Sequence, residues 1–288
     1  MSLEDPRFVP LEELLAVRPA AAGRLRLAGL WVAGDLSGLG GPCVAIVGCR
    51  AATSAGRTRA HAMGRDLARA GVCVVSGLAL GIDGAGHAGA LAGGGRTVGV
   101  LGGGHRRFFP RRNRALAEAM VAAGGAVVSP FAPDAEPRPF LFLQRNALVA
   151  GLSDGVVVVE AAARSGTLNT ADWANRCHVD VFAVPGDVDR AKAAGCNALI
   201  RDGATLVRDA ADVLAGIGLA SAPQLLAGAP PPADPLEAAV LAALAEPRTL
   251  DDLLDACGNE PGALLAALVR LELAGRVARG DDLRYARL

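Results

Sequence analysis

The chain has 288 residues, 52% of them hydrophobic, and a formal net charge of zero, which suits one large core and a small second domain rather than a disordered chain. No apolar run reaches about 18 residues, and the opening MSLEDPRFVP carries acids and no apolar stretch, so neither a membrane-spanning helix nor a signal peptide is expected and the protein reads as cytoplasmic. The six cysteines form no Cys-x-x-Cys pair and the four histidines show no ligand spacing, so no metal or cofactor is expected.

Residues 1–43 read as a short N-terminal segment. From Val44 the chain repeats one unit: a short apolar, β-branched run, a glycine turn and a helical pattern. The runs are VAIVG (44–48), VCVVSG (72–77), TVGVLGGG (97–104), AVVSP (126–130), GVVVVEA (155–161) and VDVFAVPG (179–186). Near-continuous apolar strands separated by helices predict a doubly wound parallel sheet covered on both faces, an α/β domain of Rossmann type over 44–215. A Gly/Ala/Pro-rich stretch over 216–234 reads as a linker. Residues 235–288 carry three helical patterns, about 236–245, 249–257 and 261–274, then a turn at Gly275 and a Gly-Asp-Asp turn at 280–282 between short strands. That layout predicts a small C-terminal winged helix.

Lys192 is the only lysine, against 28 arginines, a bias that a GC-rich genome would also produce. Only the placement of arginine is therefore informative. Residues 44–213 hold nineteen basic and fourteen acidic residues, net +5, whereas 235–288 hold six and nine, net −3.

In an open α/β sheet, ligands bind beyond the carboxyl ends of the strands. The first strand delivers Gly48, Cys49 and Arg50 there, with Thr53 before a helix. The second delivers Ser76 and Gly77, the third Gly102 to Gly104, and the fifth Glu160 and then Ser165, Gly166 and Thr167. Small residues leave backbone N–H groups open to phosphate oxygens, and helix N-termini add partial positive charge. The expectation is an anion-binding rim. GGGHRRFFPRRNR (102–114) adds Arg106, Arg107, Arg111, Arg112 and Arg114 around Phe108 and Phe109, a mixture suited to single-stranded nucleic acid or, alternatively, a solvated loop whose phenylalanines plug the core. FLFLQRNALVAGLS (140–153) places Arg145 and Asn146 near the rim, with Phe140 and Phe142 available for stacking or packing.

Together these stretches, with LWVAGDLSGLGGPCVAIVGCR (30–50), VVSGLALGIDGAGHAGAL (74–91), QRNALVAGLSDGVVVVEAAARSGTLNTADWA (144–174) and VFAVPGDVDRAKAAGCNALIRDGA (181–204), resemble the bacterial DNA-processing protein A (DprA) family. The resemblance implies a homodimer that binds single-stranded DNA without catalysis and loads the RecA recombinase onto it in natural transformation or recombination. Single-strand-binding protein is a further candidate partner. It also implies DNA at the loops after the first and fifth strands: Gly48, Cys49 and Arg50 fall on the family's Gly-Ser-Arg motif, with a thiol in place of the serine. Arg145 and Asn146 fall on its Arg-Asn-Arg, whose second arginine is Ala147 here, and Leu80 stands where a basic residue is usual. A family N-terminal helical domain is expected to be absent or reduced.

The alternative is an enzyme, because nucleoside-monophosphate phosphoribohydrolases use a related fold with the signature Pro-Gly-Gly-x-Gly-Thr-x-x-Glu. Here Gly166-Thr167 follows Ala-Arg-Ser, and Thr170 stands at the glutamate position. Asp83 and Glu160 then read as hydrogen-bonding loop carboxylates rather than an acid/base pair. A dinucleotide site is not expected, since no Gly-x-Gly-x-x-Gly follows a strand. The presumed recognition helix of the winged helix, 260–275, offers Arg270 as its one basic side chain, which points to protein contact rather than base readout.

Overall fold

The six apolar runs form six neighbouring parallel strands in the computed structural model, which describes residues 3–219, 234–258, 260–273, 276–279 and 284–287. They are β3 (Cys43–Val47), β4 (Cys73–Ser76), β5 (Thr97–Val100), β6 (Ala126–Ser129), β7 (Gly155–Val158) and β8 (Asp180–Ala183), alternating with α2 (Ser54–Arg69), α3 (Ile82–Ala92), α4 (Arg114–Ala122), α5 (Pro139–Gly151) and α6 (Leu168–Arg176). The two-residue period sorts side chains between the faces: Cys43, Ala45 and Val47 of β3 join one core cluster, and Val44 and Ile46 join the other. On the second face, α2 and α3 meet at backbone distance, because a Cβ on Gly64 would lie 2.2 Å from the Gly86 carbonyl and one on Gly89 would lie 2.0 Å from the His61 carbonyl. Part of the chain's glycine content is spent on this contact.

The sheet has nine strands, in the order β1-β2-β6-β5-β4-β3-β7-β8-β9. The three that the sequence reading did not anticipate are β1 (Arg7–Pro10), β2 (Gly29–Gly34) and β9 (Thr205–Leu206). β2 pairs antiparallel with β6, so residues before 44 belong to the sheet rather than to a separate segment. The short helix α1 (Leu11–Val17) buries Leu14 in the cluster that holds Val75 and Val128. Arg18, 5% exposed, fixes this corner by donating to the Leu152 carbonyl at 3.1 Å and to Asp154 at 2.6 Å. Asp154 in turn accepts from the Cys43 amide at 2.9 Å. After β8 come α7 (Ala194–Arg201) and α8 (Ala210–Gly216); α8 runs into the stretch expected to be linker, and the Leu219 amide still bonds to the Leu214 carbonyl at 2.8 Å.

By contacts the chain divides into Met1–Ala220 and Ser221–Leu288. Residues 220–233 of the expected linker, Gly275 and the 280–282 turn lie outside the described residues. The second unit contains α9 (Pro235–Ala243), α10 (Leu250–Cys257), α11 (Pro261–Leu273) and a hairpin of β10 (Val277–Arg279) with β11 (Tyr285–Arg287). Val240, Leu244, Leu253, Leu264, Leu268, Leu271, Val277 and Tyr285 form its core. Thr249 and Asp252 exchange bonds in a capping box that starts α10. Three helices and a terminal hairpin make the winged helix.

Candidate nucleic-acid interface

From β3 the chain proceeds outward through β4, β5 and β6, then returns to place β7 on the other side of β3. The topological switch point therefore lies at the carboxyl ends of β3 and β7, where a doubly wound sheet opens a crevice. An open pocket of about 250 Å³ occupies it. Its walls come from the β3 end (Gly48, Arg50), the β4 end (Gly77, Ala79), one face of α5 (Phe142, Arg145, Asn146) and the segment entering α6 (Ser165, Gly166, Thr167). Spacing of three and four residues puts the α5 group on a single helix face.

The loop after β3 is pinned by backbone bonds. The Cys49 amide donates to the Glu160 carbonyl at 2.8 Å, and the Ile82 amide donates to the Cys49 carbonyl at 3.3 Å. Arg50 projects into solvent, its guanidinium carbon 5.2 Å from the centre of the Phe142 ring. Beneath it lies Arg145, only 3% exposed, with Nη1 donating to the Val100 carbonyl at 2.8 Å and Nε without a partner. Gly77 makes room for it: a Cβ there would fall 1.7 Å from Arg145 Nη1. Burial pulls the Arg145 pKa down to about 10, with the Asp83 carboxylate opposing the shift, so the group stays cationic at neutral pH. The Asp83 carboxyl is raised by its own burial, and its Oδ2 accepts from the Gly77 amide at 3.1 Å and the Ala79 amide at 3.4 Å.

Across the crevice, Asn146 Nδ2 donates to the Asn169 side chain at 3.2 Å and to the Gly166 carbonyl at 3.4 Å, which holds the Ser165–Thr167 turn against α5. The two helix N-termini at the rim differ. Thr53 caps α2 and donates its hydroxyl to Glu160, whose other oxygen takes the Thr53 amide at 3.0 Å. The N-terminus of α6 has no side-chain cap and leaves its partial positive charge beside the pocket. One exposed and one buried guanidinium, two hydroxyls and an uncapped helix end present donors and positive charge of the kind that suits phosphate oxygens, with Phe142 alongside.

The structure gathers Gly48, Arg50, Gly77, Phe142, Arg145, Asn146, Ser165, Gly166 and Thr167 of the expected set in this pocket. Other members stand elsewhere. Ser76 is fully buried and its hydroxyl donates to the Ile46 carbonyl at 2.5 Å, so it offers nothing to a ligand. Thr53 and Glu160 are occupied with each other, and Cys49 acts through its backbone. Of the basic loop, Arg106 pairs with Asp134 at 2.7 Å and Arg107 with Glu136 at 3.2 Å, while Arg114 pairs with Glu4 and Glu118. Arg111 and Arg112 make no ion pair among the described residues. The phenylalanines divide: Phe108 is buried in a core cluster, and Phe109 is exposed and meets the Phe142 ring edge-on at 6.0 Å. The Gly102–Gly104 amides are not an open phosphate cradle, because Phe142, Pro137 and Pro133 pack against these glycines. Ala147, aligned with a family arginine, lies on the opposite face of α5, and Leu80 does not line the pocket. Sequence reasoning did not find the wall residues Ala79 and Val149, which have no polar signal to mark them.

A model of the DNA recombination-mediator protein A family matches residues 26–218, and one of the DprA winged helix domain matches residues 224–282. The chain belongs to the DprA family. Escherichia coli Protein Smf is 36% identical over 257 residues, an alignment covering 86% of this chain and 69% of that protein. The DNA processing protein DprA of Streptococcus pneumoniae is 41% identical over 186 residues, 65% of each chain. The X-ray structure of the Streptococcus pneumoniae DprA superposes with a TM-score of 0.67 at 34% identity, covering 74% of this chain and 75% of that one. A Helicobacter pylori DprA structure, described for its single-stranded DNA binding mode, superposes at 0.64 with 26% identity over 74% of this chain and 95% of that one. Membership in the DprA family makes the crevice part of a recombination mediator. No described helix is long and apolar enough to cross a membrane.

Proposed function

We propose that the protein binds single-stranded DNA at the switch-point pocket without catalysing a reaction on it. The observation that carries this reading is the pair of arginines against one ring: Arg50 in solvent over Phe142 and Arg145 buried beneath, with the hydroxyls of Ser165 and Thr167 opposite. The arginines and hydroxyls suit a phosphate, and the ring suits a base, with stacking contributing about 1–3 kcal/mol per base. From Phe142 the surface continues to Phe109 and then to Arg107 and Arg111, a path on which a strand meets rings and cations in turn. The binding mode described for the Helicobacter pylori relative supports the same ligand. A glycosidase reading is disfavoured because Thr170 stands in the crevice at the position of the catalytic glutamate, and Asp83 and Glu160 are spent on amides and on Thr53.

Family membership supports the remainder of the proposal: a homodimer, acting in the cytoplasm, that loads RecA onto the bound strand, with single-strand-binding protein as a further partner. The winged helix contributes protein contact rather than DNA affinity, because Arg270 is neutralised by Asp234 and Glu237, each at 2.7 Å. Arg270→Ala leaves DNA affinity unchanged in the intact chain; a measurable loss would assign α11 to DNA.

The decisive test is a salt titration of binding to single- and double-stranded DNA. Arg50→Ala weakens binding to every sequence and lowers the salt slope by about one. Unchanged affinity would remove the β3 loop from the site, and release of free base from nucleoside monophosphates would reinstate the enzyme.

A further inference from the structure

The opposite face of α5 borders a second open pocket, of about 900 Å³, whose other walls are the segment before β2 and the C-terminal end of α6. Its volume lies within the roughly 300–1,000 Å³ of small-molecule sites. Three arginines line it, Arg24, Arg26 and Arg176, together with Trp173, Phe131 and Gln144. No aspartate or glutamate lines it. None of the three arginines pairs with a carboxylate among the described residues, in contrast to Arg106, Arg107 and Arg114 on the basic loop.

The groups are also arranged. Arg176 lies over the Trp173 ring at 5.0 Å, a stacked platform on which a nucleobase adds another layer. Arg24 is held in place by a bond from Nη1 to the Ser153 carbonyl at 3.0 Å, and Arg26 is exposed. Uncompensated cations clustered in a concave wall call for an anion, and flat rings beside them call for an aromatic one. An acidic peptide would satisfy the arginines and leave the rings unused.

We propose that this cavity binds a nucleotide unit, its base on the Trp173–Arg176 platform and its phosphate between Arg24 and Arg26. The same chemistry is presented by a free nucleotide and by one residue of a DNA strand. The site shares no functional group with the switch-point pocket, so it stands or falls independently of the reading given above.

Trp173 reports on its own occupancy once Trp31→Phe has silenced the other tryptophan. In that background, dAMP and a short oligodeoxyadenylate are each titrated against tryptophan emission. Saturable quenching is expected, with the apparent Kd raised about tenfold or more by Arg26→Glu and by Arg176→Glu. Arg26 is exposed, so its variant retains the fold, which an unchanged emission maximum before ligand addition verifies. Quenching by dAMP that persists in Arg50→Ala identifies a free-nucleotide site; quenching by the oligonucleotide alone identifies a unit of a strand. Absence of saturable quenching by both, or quenching indifferent to both charge reversals, overturns the proposal.

Discussion

Arg145 sits beneath Gly77 at the switch point with no carboxylate in bonding distance, whereas Arg106, Arg107 and Arg114 lie in water with an acid on each. Both groups come from arginine-bearing motifs of one domain, yet they are in opposite physical states. The buried cation has already lost its hydration, so a phosphate arriving above it displaces little water and meets a field weakly screened by solvent. The surface cations are hydrated and neutralised, and a phosphate must compete for them. Charge inventory alone ranks the loop above the pocket; solvation reverses that ranking.

The strongest way to break this comparison is Arg145→Met. It takes the Arg145 charge away from buried Asp83 and the side-chain donor away from the Val100 carbonyl, and the expected destabilisation is about 2–3 kcal/mol, read from urea unfolding. Adding Asp83→Asn to the same chain recovers a large part of that loss, because the orphaned charge is then gone. A cost below about 1 kcal/mol for the single variant would mean that the arginine is not embedded as described.

Protons probe the same interior. His87 is fully buried, with Nδ1 at 2.6 Å from the Thr97 hydroxyl, and its pKa is pushed down to about 3, first by burial and then by the nearby Arg145. The folded value lies below the unfolded one, so stability is complete above about pH 6.5. It declines by about 1.4 kcal/mol per pH unit as acid protonates the unfolded chain, until the folded pKa is reached. Between pH 7 and pH 5 the His87 contribution is a loss of about 2 kcal/mol. His87→Gln removes that part of the pH dependence and leaves the contribution of His105, whose pKa is also lowered by burial. An unchanged slope in the variant would contradict the dry interior on which the contrast of cations rests.

The sequence made the central sheet legible because six β-branched runs recur with glycine turns. β1 and β2 were not, since RFVP has only Val9 buried and ends in proline, and GLWVAG pairs antiparallel with β1 and with distant β6. The motif glycines, Arg50, Asn146 and the Ser165–Thr167 turn could be placed at one rim by topology alone. The depth of Arg145 could not, because it depends on Val100 and Gly77, far away in the chain. Nor could the pairing of Arg106 with Asp134, since counting charge by segment does not register which charges touch. Phe108 and Phe109 are adjacent and identical in type, yet one enters the core and the other meets solvent, a choice made by backbone direction.

The smallest expected effect tests the loop side of the comparison. Asp134→Ser with Glu136→Ser releases Arg106 and Arg107 from exposed pairs, whose loss alters stability by no more than about 1 kcal/mol. If the strand follows the Phe142–Phe109 path, the freed guanidinium groups meet its phosphates. Affinity for single-stranded DNA then rises about two- to fivefold at low salt, and the salt slope steepens by about one to two. Arg106→Ala with Arg107→Ala in the otherwise native chain changes affinity less than Arg50→Ala does, because those cations were already neutralised. A rise in affinity with no change in salt slope would point to reduced repulsion rather than new phosphate contacts, and the loop would then act as a screened border of the site and not as part of its floor.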